Sequence, residues 1–242
     1  MVTVPIGQQP DDSTCGPTCL HAIYEYYGDT VPLAAVIRSV RQFKEGGTLG
    51  ALLAADALER GYDAEIYSYN LQVFDPTWAG LDRDKLIDKL RSQMCIKTGS
   101  KLRRASKAYI RFLERGGRLR FEDLRGGVLR RYLKRNQPII AGLSATYLYQ
   151  SAREYGPASD YDDLRGKPAG HFVVLQDYDK AAGEVSIADP LAQNPLGGDQ
   201  FYHMKTGRVI SAILLGIVTY DANLIVITPK QRRTTRVKAR SA

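Results

Sequence analysis

Cys15, His171 and Asp189 are the residues whose types and order could do covalent chemistry, and Gln9 stands six residues ahead of the cysteine. A thiol attacks as its thiolate, which a helix N-terminus and a neighbouring imidazolium both stabilise. Leu20, Ile23, Tyr24 and Tyr27 recur at helical spacing and Gly28 supplies a stop. A helix over about 16–27 follows, with Cys15 at its start. Pro17 suits the first turn, where its missing N–H costs nothing, and Gly16 would let a substrate approach the backbone closely. The Gln9 side-chain amide and the Cys15 backbone N–H are candidate oxyanion donors, with Gln8 as a rival to Gln9.

His171 heads a β-rich run over 171–178, and a second run over 184–189 follows after the turn residues 179–183. Antiparallel pairing across that turn brings the start of the first run beside the end of the second. His171 and Asp189 then become neighbours on one face. Asp189 would fix the imidazole tautomer and stabilise the imidazolium, leaving the other ring nitrogen for Cys15. Gly170, just before the histidine, joins Gly16 as a candidate lining of a substrate site. The plainer alternatives are a buried cysteine at a helix start, a strand-edge histidine and a turn aspartate before Pro190.

The segment Gln9-Pro10-Asp11-Asp12-Ser13-Thr14-Cys15-Gly16-Pro17-Thr18-Cys19-Leu20 resembles the active-site segment of the bacterial double-glycine leader peptidases, the cysteine-protease domain that processes bacteriocin precursors, and of its free-standing relatives. The resemblance extends to residues 169–175, to 186–190 and to the strand 138–143, and it selects Gln9 over Gln8. It departs at Thr14, where the family has Asp before Cys-Gly, and it leaves 69–120 without a counterpart. It implies a papain-like α+β fold, with an N-terminal helical half packed on an antiparallel β-sheet. It also implies a cysteine peptidase or amidase that works through a Cys15-His171-Asp189 triad and a thioester, with no cofactor. An acyltransferase or transamidase on the same scaffold, or a catalytically inactive basic binding module, are the alternatives.

Length and composition set the frame. At 242 residues and 44% hydrophobic, the chain can bury one large core, read here as a single domain over 1–229 followed by a basic tail over 230–242. Helices are expected over about 49–60, 81–94, 102–113, 121–133 and 207–215, and strands over 64–67, 139–143 and 223–228. The stretch over about 70–120 reads as a basic, mostly helical insertion. Residues 147–169 read as a long loop whose Tyr147, Tyr149, Tyr155 and Tyr161 either form a substrate subsite or lid, or pack the loop. No apolar run reaches eighteen residues and no secretory signal opens the chain, so a cytoplasmic location is the default.

Three cysteines, an odd number, fit a reducing compartment. Cys15 and Cys19 lie four apart, but too few histidines remain for a metal site, and none is expected. Cys95 reads as a small buried hydrophobe, and His21 and His203 have no partner pattern. The net charge is +8, yet fourteen Lys or Arg stand against three acidic residues between Lys97 and Arg135, a local +11. That concentration suggests an acidic partner, whether peptide, nucleic acid or lipid surface, unless it is only a pair of solvated helix faces; a peptide or protein substrate is the partner expected, and nucleic acid is not.

Overall fold

Strand β3 (Ile139–Ser144) is buried at all six positions, so its sheet must be covered on both faces. The computed structural model describes residues 3–40 and 47–230, and the expected tail lies outside them apart from Lys230. The other strands are β1 (Tyr62–Ser68), β2 (Arg118–Arg120), β4 (Glu154–Tyr155), β5 (Asp160–Tyr161), β6 (Gly170–Asp179), β7 (Glu184–Ala188), β8 (Phe201–Lys205) and β9 (Asn223–Pro229). Seven of them form one sheet in the order β2-β1-β9-β3-β6-β7-β8, while β4 and β5 make a separate small hairpin. Every pairing in the large sheet is antiparallel except β1 with β2.

Alternation along the strands sorts the core into two layers. Ile140, Phe172, Val174 and Ile225 face helices α1 (Cys15–Tyr26), α2 (Leu33–Ser39), α3 (Gly50–Glu59), α4 (Arg83–Ile96) and α5 (Ser100–Glu114). Ile139, Ala141, Val173, Leu175 and Leu224 face α6 (Gly126–Leu133), α7 (Ala145–Tyr149) and α8 (Thr206–Leu215). The expected α+β fold with a helical N-terminal half on an antiparallel sheet is present, and a second helical layer covers the far face. Gly50 lets α3 press onto the sheet, since a Cβ there would meet Asn223 Oδ1 at 2.6 Å and Ile225 Cδ1 at 2.9 Å.

The helix expected over 121–133 begins only at Gly126. Phe121 instead stacks edge-on against Phe74, with ring centroids 5.4 Å apart, and residues 121–125 form no helix. The glycine pair opens the helix, where low propensity costs little. Helices α2 and α7 and strands β2 and β8 had no clear periodic signature, being seven residues or shorter. The region expected as an unstructured loop holds α7 and the β4-β5 hairpin.

The basic segment is part of the core rather than an appendage. Helix α5 buries Leu102, Ala105, Tyr109, Phe112 and Leu113, and packs against α3 and α4. Some of its cations are matched: Arg111 and Arg115 both reach Glu59 of α3, at 2.5 Å each. Arg118 and Arg120 flank the buried Glu65 of β1, and Arg131 pairs with Glu122. We predict that Phe112→Ala lowers global stability by about 3–5 kcal/mol in a single denaturation transition. A separate early transition, with the main one unchanged, would make this helix a dispensable appendage.

Candidate active site

The turn before α1 is tied together by its own side chains. Thr14 Oγ1 donates to Asp11 O at 2.9 Å and accepts from Asp11 N at 3.2 Å, while Asp11 Oδ1 accepts from Ser13 N and Ser13 Oγ. Thr14 is therefore a loop staple where the double-glycine leader peptidases carry an acid. No side chain caps α1, so the backbone N–H groups of its first turn remain available beside Cys15. Cys15 itself is 8% exposed.

The β6-β7 hairpin brings His171 to Asp189, and a bulge between Leu175 and Asp177 shifts the register by one so that Val173 falls opposite residue 189 and His171 lies diagonal to Asp189 on the same face. His171 Nε2 meets Asp189 Oδ1 at 2.9 Å. Cys15 is close enough for its charge to act on the same ring. Burial alone would push the His171 pKa down; the negative charges of Asp189 and Cys15, with their hydrogen bonds, overcome it and raise the value to about 10. Imidazolium is thus the favoured form at neutral pH.

Asp189 is 0% exposed, and burial by itself would drive it to protonate. Four donors and the His171 charge reverse that and hold its pKa below the usual value. Oδ1 accepts from His171 and from the backbone N–H of Leu191 at 2.9 Å. Oδ2 accepts from Tyr149 Oη at 2.7 Å and from Tyr202 Oη at 2.6 Å. Both phenols are themselves pushed up by burial and by the carboxylate, so they stay donors. Neither tyrosine was singled out from the sequence as a partner of Asp189. Tyr149 stood in the tyrosine-rich stretch, and Tyr202 lies on β8, whose short run gave no signal.

Gln9 is buried beside this group. Its backbone N–H donates to Pro190 O at 2.9 Å, and its Nε2 donates to Asp11 O at 3.0 Å. One amide hydrogen is left over. Gln200 Nε2 bridges Asp189 O at 2.9 Å and Gly7 O at 3.3 Å, so the segment carrying Gln9 is pinned to the residues around Asp189.

The two glycines part company. Gly16 is buried, and a Cβ there would meet Thr48 Cγ2 at 2.7 Å and Leu53 and Phe172 at 3.2 Å. The space at Gly16 is filled by protein, so its expected role in substrate approach gives way to helix packing. Gly170 lines a cavity of about 430 Å³ that continues along Gly47, Thr48, Lys101, Thr219 and Asp221.

Among the other sulfurs and imidazoles, Cys19 is fully buried against Phe172 O at 3.2 Å, and desolvation pushes its pKa well up. Cys95 is exposed, not buried as expected, because it sits away from the Leu86, Ile87 and Leu90 face of α4. His21 Nε2 contacts Val31 O at 2.8 Å, and His203 is exposed. No cluster of three or more His, Cys, Asp or Glu among the described residues could hold a metal, and no described helix is long and apolar enough to cross a membrane.

With this geometry in hand, comparisons place the fold. A C39-like peptidase from Bacillus anthracis superposes with a TM-score of 0.50 at 15% identity, over 96% of this chain and 98% of that one. The peptidase domain of Streptococcus ComA, a bi-functional ABC transporter of a quorum-sensing pathway, gives 0.46 at 14% identity, over 94% and 100%. A double-glycine-motif protease from an AMS/PCAT transporter, solved with its leader peptide, gives 0.42 at 13%, over 95% and 94%. No family model and no curated protein sequence matches. The chain has the papain-like fold of the C39 peptidase domains.

Removing one phenol should cost stability only while Asp189 is ionised. A carboxylate with a depressed folded pKa contributes stability above its unfolded value and loses it as pH falls through the folded one. Tyr202→Phe is therefore expected to lose about 1–3 kcal/mol at neutral pH and progressively less in acid, measured by urea unfolding at both. An equal loss at both would mean that the ring packs but its hydroxyl does not hold Asp189.

Proposed function

We propose that this protein is a cysteine peptidase or amidase acting on peptide substrates. What carries the reading is the buried Asp189-His171 pair, with its imidazolium favoured, next to a cysteine at an uncapped helix start. In the reaction, the Cys15 thiolate attacks the carbonyl carbon, a C–S bond forms and the carbonyl oxygen becomes an oxyanion. The Cys15 backbone N–H and the Gln9 amide stabilise that oxyanion. His171 gives its proton to the leaving nitrogen as the C–N bond breaks, then takes one from the water that cleaves the thioester and frees the thiolate. Asp189 keeps the imidazole oriented throughout.

The C39 domains among the structural relatives support a peptide as substrate, since one was solved with a leader peptide bound. The reading as an inactive basic module loses weight because Arg111, Arg115, Arg118, Arg120 and Arg131 are engaged by acids of this same chain. Three free thiols accord with a bacterial cytoplasm as its setting.

A mass-spectrometric screen of peptide cleavage tests the assignment. Cys15→Ala and His171→Ala should abolish turnover, Asp189→Asn should leave a residue of activity, and Gln9→Ala should lower kcat about 10²–10³-fold. Full activity in Cys15→Ala, or a neutral Asp189→Asn, would contradict it. In the same samples iodoacetamide should label Cys15 and the exposed Cys95 but spare Cys19, and only the Cys15 rate should fall in His171→Ala.

A further inference from the structure

The segment 150–168 holds itself together and holds little else. Asp162 N–H donates to Arg153 O at 2.8 Å, Glu154 N–H to Lys167 O at 3.1 Å, Lys167 N–H to Glu154 O at 2.8 Å and Gly166 N–H to Asp162 O at 3.0 Å. The Arg165 guanidinium lies over the Tyr155 ring, 4.4 Å from its centroid, and Arg165 Nε meets Asp162 Oδ2 at 2.5 Å. Among the described residues, no hydrogen bond or ion pair runs from 151–168 to any other part of the chain. None of its side chains enters either apolar layer of the core. Gly166, its one buried residue, is pressed against Arg153 and Asp162 of the same segment.

Both feet of this piece stand on one carboxylate. Tyr149, the residue before it, donates to Asp189 Oδ2, and His171, just after it, meets Asp189 Oδ1. Between the feet, Ala145 N–H donates to Ala169 O at 2.9 Å and Ala169 N–H to Thr146 Oγ1 at 3.0 Å, which closes the base. Gln150 leaves α7 at φ 54° and ψ 37°, a left-handed conformation at the end of an element, where hinges are commonly placed. A unit that is bonded within itself and tied to the body only at its ends moves as a whole about those ends.

Glu154 shows which face of the piece looks at the catalytic pair. Its carboxyl is close enough to Asp12, on the turn before Cys15, and to His171 for their charges to act on it. Tyr161 is the cross-strand partner of Glu154, and directly paired residues of an antiparallel ladder project to the same face. Tyr161 therefore shares the face turned toward the site, and it is 60% exposed. Tyr155 pairs with Asp160 and belongs to the opposite face, beneath Arg165. Resting on the peptidase reading, we infer that residues 150–168 are a flap that closes over the bound peptide substrate, turning about Gln150 and Ala169 and laying the Tyr161 ring on the peptide. The peptide supplies the apolar surface that this ring lacks in the free protein. Since its feet are two partners of Asp189, the flap shares its anchor with the imidazole.

The test sets the two faces of the flap against each other. For a decapeptide that the enzyme cleaves, Tyr161→Ala should raise KM about tenfold with kcat within about twofold, and Tyr161→Phe should restore KM. Tyr155→Ala, on the outer face, should change KM by no more than about twofold. No change in Tyr161→Ala, an equal change in Tyr155→Ala, or a loss confined to kcat would overturn the flap. If no peptide is cleaved, the peptidase reading fails instead, and thiol labelling then judges the flap. With residues 151–167 replaced by Gly-Ser-Gly, labelling of Cys15 by a bulky polymer-linked maleimide should speed up about tenfold relative to iodoacetamide, with exposed Cys95 as the internal reference. An unchanged ratio overturns the flap. So does a shortened chain that cannot fold, because a unit with no bond to the body should be removable.

Discussion

A carboxylate shielded from water is the constraint around which this molecule is arranged. An isolated ionised carboxyl in an apolar interior costs far more than a domain's net stability, so Asp189 can be charged only if its donors are in place. They come from four separate parts of the chain: His171 on β6, the turn after β7, Tyr149 on α7 and Tyr202 on β8. Each such hydrogen bond to a charge contributes about 1.5–3 kcal/mol, and losing any one leaves the others under strain. The same carboxylate holds the imidazole, and the backbone on either side of it holds Gln9 and Gly7. Base, orienter and oxyanion donor are thus positioned by one polar cluster rather than by three independent sites.

Charge is handled differently on the other side of the sheet. The +11 between Lys97 and Arg135 looks on paper like a surface for an acidic partner. In the fold part of it is met by two acids from outside the segment, Glu59 and Glu65, while Arg131 pairs with Glu122 inside it. Glu65 is buried and also accepts from Tyr132 Oη at 2.7 Å, so these pairs fasten β2 and α6 to the sheet. The helical segment that carries the charge contributes the apolar face of α5 to the main core. Its N-terminal end, with Lys101 and Arg104, borders the cavity beside Gly170.

The order of Gln9, Cys15, His171 and Asp189 and the hairpin that joins the last two were legible because turn residues and β-rich runs are local signals. So were α1, α3, α4, α5 and α8, whose apolar spacing is regular over ten residues or more. What stayed hidden has a common cause. Strand β2 has three residues and α7 five, too few for a period to declare itself. Tyr149 and Tyr202 matter through a contact between residues 40 and 13 positions from Asp189, and nothing local marks a phenol as a donor to a distant acid. Nothing local marks Asp221 as buried, because it packs on Gly170, fifty-one residues away. Cys95 was misjudged from its neighbours, since one step around a helix separates the core from solvent.

The central claim is that Asp189 keeps His171 in its imidazolium form against the penalty of burial. Nitrogen-15 NMR of the histidine ring as a function of pH measures this directly. Both ring nitrogens of His171 should stay protonated at neutral pH, with loss of the proton delayed to about 10, and Asp189→Asn should move the midpoint downward. A His171 ring that titrates near 6.5, unchanged in Asp189→Asn, would contradict it.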